Sequence, residues 1–213
     1  MMGFTPVGDS LCKKNEHMNL VKLGKQHPQR GNRVSKWLGR MLLRMCRWHT
    51  EGEISEAPKL ICVMAPHTSW WDFTTNLGVM MATGLHASWF IANKYTKGPL
   101  GQLLTFLGAI PIDRASHNDV VTQMVELFNS NERLVLAIFP EGTRKPVATW
   151  KTGFWHIAKR AQVPLQLVAV DYAKHATVFG PIIHLTDDME RDIQQMRLYF
   201  KSVTAKRPEN AVY

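Results

Sequence analysis

Short, almost continuously apolar runs separated by segments of helical periodicity constrain the fold of this chain more than any other feature. Several runs are too apolar to have a solvated face, which is typical of strands buried on both faces of a parallel sheet. Strands that alternate with helices in this way predict an α/β fold with a mostly parallel central sheet flanked by helices. The predicted strands span residues 60–65, 87–92, 109–112, 134–139 and 165–170, and the predicted helices span residues 71–83, 98–107, 117–130, 151–161 and 186–203.

The length of 213 residues and the apolar share of 45% suit one globular domain with a substantial core. We assign residues 51–213 to that domain. Residues 1–31 are polar, basic and interrupted by Gly and Pro, so we predict a disordered arm there. Residues 32–50 are predicted to form an amphipathic helix that precedes the domain.

Positive charge is concentrated at the amino end of the chain. Residues 1–50 hold ten of the 26 Lys and Arg but only two of the 17 Asp and Glu, so this stretch carries almost all of the net charge of +9. A basic segment on a nearly neutral body indicates an anionic partner, which is either a membrane surface or a nucleic acid.

The helix predicted over residues 33–48 has a basic face opposite an apolar stripe. Such a stripe packs against the core in many soluble proteins, and in others it lies in the surface of an anionic membrane. Because the opposite face is entirely basic, we favour the membrane surface. The stripe comprises Val34, Trp37, Leu38, Met41, Leu42 and Met45, and the basic residues are Lys36, Arg40, Arg44 and Arg47.

The chain offers no sign of export or of a membrane span. None of its apolar runs approaches the ~18 residues that a spanning helix needs. The first residues lack the apolar core and cleavage pattern of a secretory signal. The three cysteines form neither a metal set nor a disulfide framework. We therefore expect a peripheral or monotopic protein without a transmembrane span, on the cytoplasmic face of the membrane.

Three of the predicted strands run directly into polar motifs. One strand ends at Pro66-His67, a second at Asp113-Arg114, and a third at the segment Pro140 to Arg144, which reads PEGTR. Ligand sites in open α/β sheets lie beyond the carboxyl ends of the strands, so these motifs are predicted to meet in space.

The first motif contains a histidine and a carboxylate, His67 and Asp72, five positions apart. A lone histidine after a strand is more often a structural residue than a catalyst. If a helix begins between the two residues, its first turn can return the Asp72 carboxylate to the imidazole and leave the other ring nitrogen for a substrate hydroxyl. Ser69 or Thr68 would then cap that helix. The neighbouring Trp70 and Trp71 are expected to be packing residues, one of them directed towards the core.

The PEGTR segment offers groups that bind anions and hydroxyls. Gly142 permits a positive φ or a close backbone approach, Glu141 can bind a hydroxyl, and Arg144 presents a fork of donors that matches phosphate. A plain turn is the alternative for this string taken alone. Beside the His67–Asp72 pair and Arg114 we favour an anion pocket, whereas Asp113 is more simply a structural partner.

Four ordered segments together resemble the blocks of the glycerolipid acyltransferases, the PlsC-type family that includes the 1-acylglycerol-3-phosphate acyltransferases. The resemblance covers roughly residues 58–185. The segments are His67 to Asp72, Gly108 to Arg114, Phe139 to Arg144 and Val163 to Leu165.

The resemblance implies a role for each matching residue. His67 is the expected general base and Asp72 is its orienting partner. Pro164 is expected to shape the acyl or acceptor channel. The expected phosphate and glycerol pocket comprises Arg114, Glu141, Gly142, Thr143 and Arg144. Lys145 departs from the serine that family members often have there, so it either extends the pocket or is solvated.

The resemblance also implies a reaction. A fatty acyl group passes from acyl-CoA or acyl carrier protein to the hydroxyl of a lysophospholipid-type acceptor, for which we favour 1-acylglycerol 3-phosphate. Glycerol 3-phosphate and a lyso-aminolipid are the alternative acceptors. Neither a metal nor a resident cofactor is expected. The rival class is a basic nucleic-acid-binding protein, which we disfavour because the basic face lacks interleaved aromatic residues.

Overall fold

The computed structural model describes residues 19–112 and 117–212, apart from the side chains of Lys94 and of residues 117–119. In this part of the chain the helices are α1 (Arg33–Met45), α2 (Trp70–Thr83), α3 (Gly98–Leu107), α4 (His117–Ser130), α5 (Gly153–Ala161) and α6 (Met189–Phe200). The strands are β1 (His49–Gly52), β2 (Lys59–Ala65), β3 (Ala87–Ala92), β4 (Ala109–Ile112), β5 (Leu134–Ile138), β6 (Leu165–Asp171) and β7 (Ala176–Ile183).

All seven strands belong to one sheet, in the order β1-β7-β6-β2-β5-β3-β4. The pairs from β6 to β4 are parallel, β7 is antiparallel to β6, and β1 is parallel to β7. The predicted α/β class with a mostly parallel sheet is confirmed. Because β2, β5 and β6 lie at the centre with both faces covered, their sequences have no solvated side.

Alternate side chains of β2 enter two separate cores, as the two-residue period of a strand requires. Ile61 and Val63 join the core formed with α4, α5 and α6. Leu60 and Cys62 join the core on the opposite face, which includes side chains of α1 and α2.

Two glycines allow α1 and α2 to approach closely. A Cβ at Gly39 would lie 2.4 Å from the backbone nitrogen of Ala82, and a Cβ at Gly78 would lie 2.9 Å from a methyl carbon of Leu43. Gly39 and Leu43 are the buried residues of α1. The helix therefore contacts the body through a narrow face centred on small residues.

Most of the apolar stripe of α1 does not face the core, although Leu42 is half-buried beside Gly78 of α2. Val34 is 63% exposed and Met45 is 76% exposed, and Trp37, Leu38 and Met41 are also exposed. Arg33, Arg40 and Arg44 are exposed as well. Because the contact face is centred on Gly39, both the stripe and the basic side chains remain available to solvent or to a partner.

The helix is shorter than the sequence pattern predicts. It ends at Met45, and the expected helical residues 49–50 lie instead in β1, which pairs with β7. Trp48 is buried, and its indole N–H donates to Thr177 Oγ1 at 3.0 Å. Because the Trp48 indole is buried against Thr177 of β7, the chain leaves the helix after Met45.

The prediction of a disordered arm over residues 1–31 is wrong for residues 19–31. Val21 and His27 are buried, and the Arg30 N–H donates to Gly84 O at 2.8 Å. The reason is that apolar side chains in this segment, such as Val21, join the core next to α1 and α2. Residues 1–18 lie outside the described residues. The division of the chain into arm, helix and domain otherwise stays a prediction.

Candidate active site

The register of the central strands places three segments side by side at the carboxyl edge of the sheet. Val63 of β2 pairs with Ile138 of β5, and Ala65 pairs with Ala169 of β6. The residues that follow these strands must therefore emerge next to one another. These are Pro66-His67 after β2, Phe139 to Glu141 after β5, and Tyr172 after β6.

Asp72 connects the first turn of α2 to the histidine. Ser69, one of the two predicted caps, is the N-cap of α2, and its hydroxyl accepts from the Trp71 N–H at 3.3 Å. Asp72 Oδ2 accepts from the Thr68 N–H at 2.7 Å and from the Ser69 N–H at 2.8 Å. The same oxygen lies 3.2 Å from His67 Nδ1. The first turn of the helix thus brings this fully buried carboxylate to the imidazole.

His67 is fixed by three different contacts. The pairing with Asp72 means that the Nδ1–H donates to the carboxylate, which leaves Nε2 as an acceptor. The backbone N–H of His67 donates to Glu141 Oε1 at 3.0 Å, and its ring stacks on Phe139 with centroids 4.1 Å apart. Nε2 has no hydrogen-bond partner among the residues described. The ring therefore has the geometry of a general base whose tautomer is set by a carboxylate.

Tyr172 is a residue of this site to which the sequence analysis gave no role. Its hydroxyl donates to Asp72 Oδ1 at 2.8 Å, so both carboxylate oxygens have partners. Burial raises the pKa of the Tyr172 phenol, and the neighbouring Asp72 carboxylate raises it further. The phenol therefore stays protonated and remains a donor. Its place directly after a buried central strand was the available signal.

Glu141 is buried at the same edge of the sheet, and only one of its two carboxylate oxygens has a hydrogen-bond partner among the described residues. Oε1 accepts from the His67 backbone, whereas Oε2 has no hydrogen-bond partner among the described residues. Burial raises the pKa of Glu141 from 4.5 to about 7, against the opposing effect of its backbone hydrogen bonds. The side chain can therefore change its protonation state near neutral pH.

The turn after β5 requires a glycine. Gly142 has φ +63°, and a Cβ there would lie 3.0 Å from the Lys151 side chain. The Gly142 N–H donates back to Phe139 O at 3.0 Å, which closes the turn. This conformation directs Thr143, Arg144 and the chain after them into a cleft beside the histidine.

That cleft has a volume of about 310 Å³ and begins one residue after His67, which does not itself line it. Its walls hold two of the predicted pocket residues, Thr143 and Arg144. The lining residues are Thr68, Ser69, Trp70, Thr143, Arg144, Lys145, Arg207 and Asn210.

Arg144 is held in this cleft by an aromatic ring. Its guanidinium carbon lies 3.7 Å from the centroid of the Trp70 ring, a cation–π contact. Trp70 and Trp71 are both largely exposed. The expectation that one of them points into the core is therefore wrong, because α2 buries its opposite side, including Thr75 and Val79.

Two other predicted site residues are not placed at this edge of the sheet by the described part of the chain. Arg114 and its neighbour Asp113 lie outside the described residues. Pro164 precedes β6, where its carbonyl accepts from the Ile61 N–H at 3.1 Å. It therefore lies at the amino edge of the sheet, roughly 20 Å along the strands from the site. Its assignment to a channel stays a prediction. Within the described ranges, no three His, Cys, Asp or Glu side chains are placed to hold a metal ion.

The chain is similar to known proteins both in sequence and in fold. A family model described as Acyltransferase matches residues 46–171. The fold is similar to that in the crystal structure of the 1-acyl-sn-glycerophosphate (LPA) acyltransferase PlsC from Thermotoga maritima, with a TM-score of 0.50. The two chains are 15% identical, and the match covers 81% of this chain and 80% of that one. No curated protein sequence matches the chain. The matched region contains His67, Asp72, Glu141, Arg144 and Pro164.

Proposed function

This chain belongs to the acyltransferase family, and we propose that it transfers a fatty acyl group from an acyl thioester to the hydroxyl of a lysophospholipid-type acceptor in phospholipid biosynthesis. The favoured acceptor is 1-acylglycerol 3-phosphate, and the donor is acyl-CoA or acyl carrier protein. One observation carries the proposal: Asp72 accepts from His67 while Nε2 of the ring has no partner among the described residues. A base in this state, without an adjacent protein nucleophile, suits direct transfer between two bound substrates.

The proposed reaction is one proton transfer coupled to one acyl transfer. Nε2 of His67 takes the proton of the acceptor hydroxyl as its oxygen attacks the thioester carbonyl. The carbon–sulfur bond then breaks, and the leaving thiolate receives the proton from the imidazolium. Asp72 stabilises the imidazolium between these two steps, because its carboxylate accepts from Nδ1 throughout.

The proposed acceptor pocket lies on the Thr143–Arg144 side of the histidine. Arg144 supplies a guanidinium fork for a phosphate, and its contact with Trp70 limits its rotamers before any ligand arrives. Glu141, whose Oε2 is buried without a partner among the described residues, is proposed as a glycerol ligand on the resemblance. Arg114 is proposed for the same pocket on the resemblance alone.

Membrane association through α1 is part of the proposal. The lysophospholipid acceptor resides in a bilayer, and α1 has an exposed apolar stripe beside exposed arginines. Such a helix can lie in the surface of an anionic leaflet, with its arginines at the headgroups. We propose a peripheral association on the cytoplasmic face. Within residues 19–112 and 117–212, none of the helices is long and apolar enough to cross a membrane.

A panel of acceptors tests the proposed function. Purified protein is incubated with a labelled acyl-CoA or acyl carrier protein and with 1-acylglycerol 3-phosphate, glycerol 3-phosphate, a neutral lysophospholipid or a lyso-aminolipid. Mass spectrometry then identifies the acylated product. We expect the doubly acylated glycerol 3-phosphate to dominate. Product from the lyso-aminolipid alone would replace the favoured acceptor, and labelled product from none of them would reject the proposed activity.

A further inference from the structure

The carboxyl-terminal segment, residues 203–212, lies outside the part of the chain that the family model matches. It nevertheless returns to the site. Val203 and Ala205 are buried, and Thr204 O accepts from the Tyr172 N–H at 2.9 Å. Further along, Val212 O accepts from the Trp150 indole at 3.3 Å. The segment is therefore anchored at both of its ends.

Between these anchors the segment reaches the first turn of α2. The Arg207 backbone N–H donates to Thr68 Oγ1 at 3.2 Å, one residue from the histidine. Arg207, together with Asn210, lines the same cleft as Arg144 and Lys145. Three cationic residues from two distant parts of the sequence thus line one cleft of about 310 Å³.

These three cations have no compensating carboxylate in the part of the chain that the structure describes. Every ion pair within 4.0 Å there involves other cationic residues. Glu209, the nearest carboxylate in sequence to Arg207, does not line the cleft. Three like charges around one small volume repel one another, and an anion bound among them relieves that repulsion.

Resting on the proposed function, we propose that Arg207 completes, with Arg144 and Lys145, a pocket for a phosphate group, and that Arg207 is a substrate-binding residue of this protein. Arg144 and Arg207 offer planar forks to phosphate oxygens, and Lys145 adds a third positive charge. Ser69 and Thr143 line the same cleft, and each has a hydroxyl that can donate to phosphate. The phosphate is that of the acceptor or one of those of coenzyme A, and binding experiments separate the two.

The contacts of the carboxyl-terminal segment allow a substitution that removes the Arg207 charge without removing a backbone hydrogen bond. Arg207 is tied to Thr68 by its backbone N–H, so removal of the guanidinium leaves that hydrogen bond in place. We choose Arg207→Gln to remove the charge and Arg207→Lys to keep the charge without the fork. Arg191→Gln is the matched control, because Arg191 is exposed and does not line the cleft.

The test is isothermal titration of the full chain with glycerol 3-phosphate, with glycerol as the uncharged comparison, and separately with coenzyme A. We expect glycerol to bind far more weakly than glycerol 3-phosphate. Arg207→Gln is expected to weaken binding of the phosphate ligand roughly tenfold, as expected for loss of a charge-assisted hydrogen bond. Arg207→Lys should restore part of the affinity, and Arg191→Gln should bind like the unaltered protein.

Each outcome decides the proposal. A loss confined to glycerol 3-phosphate assigns the phosphate to the acceptor, and a loss confined to coenzyme A assigns it to the donor. Affinities for both ligands within about twofold of the unaltered protein would overturn the role of Arg207, as would failure of both to bind the unaltered protein. Because binding is measured without turnover, failure of the acyl transfer reaction would be recognised separately in the acceptor panel.

Discussion

Asp72 accepts hydrogen bonds from the Thr68 and Ser69 backbones, from the His67 imidazole and from the Tyr172 phenol. A carboxylate that is fully buried requires this many donors, since an unsatisfied polar group in the interior is costly. Three of the donors come from the HTSWWD motif itself. The fourth comes from the end of another strand and restrains the carboxylate from the opposite side.

Tyr172 is therefore expected to be a positioning residue that acts through Asp72. Tyr172→Phe removes the hydrogen bond to Oδ1 and keeps the ring, which packs edge-on against Trp48. We predict that kcat falls roughly tenfold, because a hydrogen bond to a charged group is lost. The KM values for donor and acceptor should stay unchanged. Steady-state kinetics with both substrates varied measures this separation.

Tyr199→Phe provides the matched control for that experiment. Tyr199 is also partly buried and also loses a hydroxyl, but it packs beside Gly180 and Phe200 and does not contact Asp72. Its kcat should equal that of the unaltered protein. Equal kcat values for the two variants would show that the Tyr172 hydroxyl does not position the base.

Glu141 predicts a dependence of stability on pH. Burial raises its pKa in the folded protein from 4.5 to about 7. Below about pH 4.5 the carboxyl is neutral in both states, and the full stability is present. As the pH rises towards 7, the unfolded chain ionises while the folded chain keeps its proton, so stability falls by roughly 3 kcal/mol.

Glu141→Gln should remove this contribution. The free energy of unfolding, measured with urea at about pH 4.5 and about pH 8, should fall less in this variant than in the unaltered protein. Glu132→Gln, at an exposed position, should retain the original pH dependence. A decline that is the same in Glu141→Gln and in the unaltered protein would contradict the raised pKa.

Among the secondary-structure elements, α1 has the most distinctive surface. Its contact with α2 depends on Gly39 and Gly78, and its apolar stripe is left exposed. The helical periodicity predicted the stripe correctly but could not show its direction. The reason is that Gly39 and Leu43, which turn the helix onto the body, lie between the two faces that the pattern distinguishes.

The exposed apolar stripe of α1 predicts that polar substitutions in it weaken membrane binding. Trp37→Ser combined with Met45→Ser should reduce flotation with anionic liposomes several-fold, because both side chains are exposed and would lose apolar burial in the lipid. The unfolding midpoint should not fall. Leu198→Ser, at an exposed leucine of α6, is the control and should float like the unaltered protein.

The outcome of flotation also separates the two partner classes that the basic charge allows. Flotation that persists in the double variant, together with a salt-dependent gel shift on duplex or single-stranded nucleic acid, would contradict a membrane role for α1. We expect flotation that weakens with added salt, since the arginines of α1 contribute through screened electrostatic attraction.

The strands that sequence reasoning missed are those with weak patterns. β1 has four residues, HTEG, and forms because it pairs in parallel with β7. β7 contains Gly180 and Pro181, which interrupt a strand pattern and accompany an irregular register against β6. The pairing of β1 and β7 depends on residues distant in sequence. The central strands could be predicted because each is a continuously apolar run.

For the whole molecule, the expectation that motifs at strand ends meet holds for His67 and Glu141, whereas Tyr172 was not predicted and Arg114 lies outside the described residues. The register of β2, β5 and β6 brings His67, Glu141 and Tyr172 together. The spacing within one motif was enough to predict the contact between Asp72 and His67, because Asp72 lies in the first turn of α2 and His67 lies just before that helix. Arg207 could not be found in this way, since its position depends on how the segment after α6 returns across the site.

The central claim is that His67, held by Asp72, removes the proton of the acceptor. The most direct measurement is the turnover of His67→Ala with the preferred acceptor, alongside His184→Ala at an exposed histidine and a thermal unfolding curve for each protein. We predict that His67→Ala loses at least about a hundredfold in kcat, as expected for removal of a general base, and stays folded. His184→Ala should remain fully active. Undiminished turnover in a folded His67→Ala protein would contradict the account.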